Sequence, residues 1–141
     1  MKKNFYVIFI LTISLLMFSS CSSNSAKSVG KEFMNALKNN DVVKLKEMTP
    51  KKFHILIDDF SSEMNLVKKK KDFKFTYSNV RLREKNGLAE FTAETLIKYV
   101  DKKVLKSKDK EDFKEEKKEF KNKVKLYLKK NNKQWEIINV E

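Results

Sequence analysis

Apolar residues between positions 26 and 68 recur every three or four residues, which predicts amphipathic helices. A first helix is expected over Ala26–Lys38. Asp41 is expected to cap a short second helix over Val42–Met48. The buried stripes of these two helices combine aliphatic, aromatic and methionine side chains, at Val29, Phe33, Leu37, Val42, Leu45 and Met48.

A third helix carries the strongest helical pattern in the chain. Thr49 is expected to cap it, and Pro50 to occupy its first position. Four consecutive lysines at 68–71 should mark its end, where positive charge meets the negative end of the helix dipole. Its apolar positions are expected to face the core: Phe53, Leu56, Ile57, Phe60, Met64 and Val67.

At Asp72 the apolar period changes to two, which predicts β-strands. The alternation slips at Ser78-Asn79, which indicates a β-bulge in the first strand. Asn86-Gly87 is a typical two-residue hairpin turn, and a return strand is expected over Ala89–Tyr99.

A third strand is expected over Phe120–Leu128, followed by a turn at Asn131-Asn132 and a last strand over Trp135–Val140. Trp135 is expected in the core, with an exposed ligand-gripping aromatic as the alternative. Residues 101–118 are almost all charged. A loop, a strand extension and a short solvated helix all remain open for them.

Helices followed by a four-stranded antiparallel meander define an α+β class, with N-terminal helices packed on a curved sheet. The order of elements, the break at Lys38–Asp41, the Thr49-Pro50 turn and the ending over Val124–Leu128 and Trp135–Ile137 carry a resemblance. The chain resembles the nuclear-transport-factor-2-like, cystatin-like superfamily, and small bacterial lipoproteins of unknown function within it. The resemblance implies a curved sheet wrapped around the helices, often with a pocket between them.

The first 21 residues have the three parts of a secretory signal. Lys2 and Lys3 form a basic head, residues 5–18 form an uncharged apolar run, and Ser19-Ser20 precede Cys21, the one cysteine. The run is shorter than the roughly 20 residues of a membrane-spanning helix. The sequence therefore predicts a signal peptide over 1–20, a flexible tether over 21–28 and a single domain over 29–141.

The segment Phe18-Ser19-Ser20-Cys21 resembles the lipobox of bacterial lipoproteins. The resemblance implies that a diacylglyceryl group is attached to the thiol of Cys21 and that the chain is cut just before it. The alternative is a free thiol after an ordinary signal peptide. A lipidated Cys21 would hold the protein on a membrane that faces the exterior or the periplasm.

The formal charge of +13 comes from lysine, since Arg81 and Arg83 are the only arginines. Basic chains often bind nucleic acid, but export argues against that partner. An anionic envelope polymer, a small ligand or a protein fits better. A bias toward AT-rich codons explains the same lysines without any anionic partner.

Candidate chemistry is sparse. His54 is the only histidine, and no cluster with metal-ligand spacing surrounds it, so neither a metal nor a cofactor is expected. Asp58-Asp59 is the only carboxylate pair on an apolar helix, but adjacent helical residues point about 100° apart. The sequence contains no nucleophile elbow, phosphate loop or dinucleotide fingerprint, and no catalytic residue is assigned.

Three functions remain. The favoured one is a membrane-anchored, non-catalytic domain that binds a ligand or a protein at the cell envelope. The second is a small-molecule enzyme of the same superfamily, which would need perturbed polar groups in a pocket. The third is an electrostatic adaptor for an anionic envelope polymer or lipid, whose binding would weaken steeply with salt.

Overall fold

The computed structural model describes residues 25–107 and 110–141, and the side chains of 25–103 and 113–141. The predicted signal peptide and Cys21 lie outside the described residues. Three α-helices precede four strands, in the predicted α+β order. Their bounds are α1 Ala26–Asn39, α2 Val42–Met48, α3 His54–Lys68, β1 Lys71–Lys85, β2 Leu88–Ser107, β3 Lys110–Asn131 and β4 Gln134–Val140.

The first helix begins earlier than the predicted domain boundary. Ser25 caps α1, and its hydroxyl accepts a hydrogen bond from the backbone N–H of Ser28 at 3.1 Å. Ala26 is fully buried, so the last three residues of the predicted tether belong to the folded domain. At the other end, Asn40 adopts a left-handed conformation with φ 57°, which stops the helix.

The predicted start of the third helix is wrong. Pro50 is extended, with ψ 148°, and a 3₁₀ turn over Lys51–Phe53 separates it from α3. The hydroxyl of Thr49 donates to the carbonyl of Leu45 at 2.7 Å. Thr49 therefore closes α2 instead of capping α3, which begins at His54.

The sheet is an antiparallel meander with the strand order β1-β2-β3-β4. The predicted bulge is confirmed, because the pairing of β1 with β2 shifts after Ser78 and Asn79 has a φ of 53°. Asn86-Gly87 forms the predicted hairpin turn, with positive φ at both residues. The second turn lies at Asn132-Lys133, one residue later than predicted.

Residues 101–107 and 110–118 belong to β2 and β3, so the strand extension is the correct one of the three alternatives. β1 pairs with β2 only as far as Lys71 and Val100, whereas β2 and β3 continue together to Ser107 and Lys110. The extension is a two-stranded arm. Two ion pairs tie its base to the start of β1: Lys70 with Asp101 at 2.7 Å and Lys71 with Glu115 at 2.9 Å.

The core lies between the helices and one face of the sheet, here called the inner face. Trp135, with only 7% of its surface exposed, belongs to this core as predicted. Leu56 does not, because 63% of its surface is exposed. The buried apolar cluster consists of Ala26, Phe33, Met34, Ala36, Leu45, Ile57, Ala89, Phe91, Ala93, Leu126, Leu128, Trp135 and Ile137.

Candidate ligand-binding cavity

α3 is hydrogen-bonded to the end of α1 through its C-terminal half, and a cavity lies beside its N-terminal half. The C-terminal half is fixed to the end of α1, since the amide of Asn40 donates to Oδ1 of Asn65 at 3.0 Å and to the carbonyl of Ser61 at 3.4 Å. Met64 in that half is buried, and α3 packs mainly against β1 among the strands. The N-terminal half of α3 faces a cavity of about 410 Å³.

The cavity walls are predominantly apolar. α1 contributes two residues, the 3₁₀ turn and α3 contribute four, and the four strands contribute seven. Thr49 after α2 and Glu141 after β4 complete the lining. Phe33, Ile57 and Phe75 in this lining are buried, whereas Leu56 is exposed. The apolar lining consists of Phe33, Leu37, Phe53, Leu56, Ile57, Phe60, Phe75, Ile97, Val124 and Val140.

Polar lining residues are few. Thr49 and Thr95 are buried, and both hydroxyls donate to backbone carbonyls: Thr49 to Leu45 at 2.7 Å and Thr95 to Asn122 at 3.3 Å. Asn122 is exposed and lies opposite Thr95 across the β2–β3 pair. Both residues share the inner face with the buried Phe91 and Leu126, because side chains alternate along a strand.

Charged residues meet the cavity only at its edge. Lys123 is opposite Glu94 in the register, so strand alternation directs its side chain to the outer face of the sheet. Glu141 is the chain's last residue, and its carboxylate accepts from the hydroxyl of Tyr127 at 3.3 Å and lies 3.7 Å from Nζ of Lys125. The inner wall of the cavity therefore carries little charge.

A second hollow of about 340 Å³ adjoins Thr95, Asn122 and Lys123. Its other lining residues are Ser78, Glu94, Leu96 and Lys121. The amide of Asn79 donates to Oε2 of Glu94 at 2.6 Å, so the carboxylate of this hollow is already engaged beside the bulge.

The candidate reactive residues from the sequence, His54, Asp58 and Asp59, lie outside the cavity. Nε2 of His54 is 3.0 Å from the carbonyl of Lys46 and 3.3 Å from that of Thr49, so the imidazole joins the start of α3 to the end of α2. Asp58 forms an ion pair with Lys46 at 2.7 Å on the exposed surface, and Asp59 is also exposed. Neither carboxylate lines the cavity.

The described part of the chain contains neither a cluster of metal ligands nor a helix that could cross a membrane. Within residues 25–107 and 110–141, no group of three or more histidine, cysteine or carboxylate side chains could hold a metal ion. None of the three described helices has the length and apolar character that a membrane crossing requires.

The sequence pattern placed the helical wall residues on core-facing stripes, and only the family resemblance implied a pocket beside them. The spacing of apolar residues indicates which side chains face inward. It does not indicate whether the helix and the sheet pack in contact there or leave a cavity between them. One signal was present: large apolar side chains recur at Phe53 in the 3₁₀ turn and at Leu56 and Phe60 in the N-terminal half of α3.

A family sequence model described as the YvbJ NTF2-like domain matches residues 23–141. The chain belongs to this family. The match covers all the described elements, and an NTF2-like fold indicates a ligand-binding or an enzymatic domain. No curated protein sequence matches the chain.

Among solved structures, the NTF2-like chain is similar to RPA3114 of Rhodopseudomonas palustris, described as containing a SEC-C motif. The identity is 16%, the coverage is 89% of this chain and 84% of that one, and the TM-score is 0.48. It is also similar to a variant of Rd1NTF2_05, with 14% identity, coverage of 86% and 98%, and a TM-score of 0.46. Bd1075 of Bdellovibrio bacteriovorus matches with 17% identity, coverage of 79% and 37%, and a TM-score of 0.45.

Proposed function

We propose that this protein is a lipid-anchored lipoprotein of the cell envelope whose NTF2-like domain binds an apolar small molecule without transforming it. The cavity beneath α3 carries this proposal. Its volume of about 410 Å³ lies within the roughly 300–1,000 Å³ of ordinary ligand sites, and its walls combine many apolar groups with few polar ones.

The lining favours binding over catalysis. General acid–base and nucleophilic mechanisms need a reactive side chain within hydrogen-bond reach of its partner. Among the described lining residues there is no aspartate, histidine or tyrosine, and the two ionisable ones, Lys123 and Glu141, lie at the edge. The buried hydroxyls of Thr49 and Thr95 already donate to backbone carbonyls.

The anchor is supported by the sequence. A basic head, an uncharged apolar run and small residues before Cys21 favour export, and the resemblance to a lipobox favours lipidation. Only three residues separate Cys21 from Ser25, the cap of α1, so the domain would stay close to the membrane surface. That position would suit a protein that receives apolar molecules from an envelope membrane.

Photo-crosslinking tests the binding function. The full chain in detergent micelles is irradiated with an uncharged aliphatic diazirine, and adducts are mapped by peptide mass spectrometry. We expect them to concentrate on cavity-lining peptides around Phe60, Ile97 and Val124. Ile97→Trp should abolish this labelling, since the indole occupies the space that the ligand needs.

Leu96→Trp is the matched control. Leu96 precedes Ile97 on β2 but faces the opposite side of the sheet, so this tryptophan adds the same bulk outside the cavity. Labelling of the cavity peptides should persist in this variant. Adducts spread evenly over the exposed surface, and equal in all three proteins, would contradict the proposed function.

A further inference from the structure

We infer that the cavity is selective for an uncharged ligand, with an apolar body and a single terminal hydrogen-bonding group that lies against Asn122. The inference rests on the proposed binding function and adds the chemical class and the orientation of the ligand. It follows from how polarity and exposure are distributed along the cavity.

Exposure differs among the residues that line the cavity. Phe33, Ile57 and Phe75 are buried, whereas Leu56 on α3 and Asn122 on β3 are exposed. The edge at Asn122, here called the open end, lies beyond the last β3–β4 register pair at Leu126. Because Leu56 is apolar and Asn122 is polar, an elongated ligand would place its apolar body among the buried residues and its terminal group beside Asn122.

The open end offers neutral hydrogen-bonding groups. The side-chain amide of Asn122 has two N–H donors and a carbonyl acceptor. Across the strand pair, the Thr95 hydroxyl donates to the backbone carbonyl of Asn122 at 3.3 Å, which leaves the hydroxyl oxygen able to accept. A hydroxyl or amide on the ligand could both donate and accept here.

A charged ligand fits less well. Moving an ionised group out of water into an apolar site is costly unless an opposite charge compensates for it. Among the described residues that line the cavity, Lys123 is the one cation, and strand alternation directs its side chain to the outer face. A carboxylate at the open end would therefore face the amide of Asn122 without a cation on the same face of the sheet.

Competition for the diazirine site tests this selectivity. The full chain in micelles is labelled in the presence of 1-decanol, decanoate at pH 8, or decane. For each competitor, we compare between wild type and variant the concentration that halves diazirine labelling of the cavity. Because a competitor partitions into the micelles equally in both samples, the ratio of the two concentrations is independent of that partition. Asn122→Leu should raise this concentration for 1-decanol about fivefold, the loss of one neutral hydrogen bond, and should not raise it for decane.

Lys123→Gln distinguishes the uncharged ligand class from an anionic one. We expect this variant to displace like wild type with all three competitors. The inference is overturned if Lys123→Gln raises the value for decanoate, or if Asn122→Leu leaves 1-decanol unchanged. Labelling of the cavity in wild type shows that the binding function itself stands in either case, whereas absence of cavity labelling would remove both proposals.

Discussion

Gly30 of α1 lies directly against the ring of Phe91 on β2, where a Cβ atom would have no room. Phe91 is fully buried, so its ring cannot move aside into solvent. We expect Gly30→Ala to lower the free energy of unfolding. Overpacking a core costs about 1–3 kcal/mol, which exceeds the roughly 1 kcal/mol that alanine gains over glycine in a helix. Thermal or urea unfolding measures the difference.

The double variant Gly30→Ala/Phe91→Leu provides the control. Leucine leaves room beside α1, so the double variant should lose less stability than the sum of the two single losses. Strict additivity, or a Gly30→Ala protein more stable than wild type, would show that α1 and β2 are not in close contact here.

The Gly30–Phe91 contact illustrates what the sequence could and could not predict. Local signals were reliable: the change of period at Asp72, the parity slip at Ser78-Asn79 and the Asn86-Gly87 turn each depend on neighbouring residues. From helix propensity alone, the sequence predicts only that Gly30 weakens α1. Its role as the contact point with Phe91 depends on a residue 61 positions away, which no local pattern encodes.

Trp135→Ala should destabilise the domain strongly. Trp135 is 7% exposed within the core cluster, and truncating a buried aromatic side chain costs about 3–5 kcal/mol of a total near 5–15 kcal/mol. The melting temperature should fall by many degrees, and iodide should quench the native tryptophan fluorescence only weakly. Ile138→Ala, on the same strand but 40% exposed, should change the melt much less. Free quenching together with an unchanged melt for Trp135→Ala would identify an exposed tryptophan.

The Lys70–Asp101 pair at the base of the arm should be detectable by titration. A hydrogen bond from Lys70 lowers the pKa of Asp101 below its usual value and raises the pKa of Lys70. Lys70→Met should therefore raise the pKa of Asp101 toward about 3.9, as followed by the NMR shift of its carboxyl carbon. Lys69→Met, one residue earlier, should leave it unchanged.

The sign of the linked pH effect follows from that lowered pKa. The stabilisation from Asp101 is fully present above the unfolded-state value of about 3.9 and is lost as the pH falls through the lower folded-state pKa. The effect is expected to be small because the pair is exposed. An Asp101 that titrates identically in wild type and Lys70→Met would show that this ion pair does not form in solution.

The sequence pattern left the arm open among three alternatives, and only the family resemblance implied a pocket, for physical reasons. In the arm, charged residues occupy both faces of a two-stranded ribbon, so no apolar alternation marks the strands. Its pairing joins distant positions such as Lys102 and Glu115. The cavity exists because α3 is fixed at Asn65 and Ser61 by Asn40, while its N-terminal half lies above open space. Leu56 was expected in the core and is instead exposed at that edge.

Cys21→Ser tests the membrane anchor. Without the thiol no diacylglyceryl group can be attached, and the short segment between Cys21 and Ser25 is polar. We expect wild type to fractionate with membranes and to carry acyl mass on its N-terminal cysteine. The variant should lack that mass and either leave the membrane fraction or retain its uncleaved signal. The matched control is Ser22→Ala, which changes the neighbouring residue but keeps the thiol.

The test combines two measurements, the acyl mass on Cys21 and the fractionation of the protein with membranes. A single acyl chain holds a protein on a membrane only marginally, whereas two chains hold it stably. Wild type with diacylglyceryl on Cys21 should therefore resist extraction by high salt and yield to detergent. If Cys21→Ser still carried acyl mass and remained membrane-bound after signal cleavage, lipidation at Cys21 would be wrong. A wild-type protein released by salt alone would instead indicate that its lysines hold it to anionic headgroups, because surface charge attraction is screened within about 8–10 Å at ordinary ionic strength.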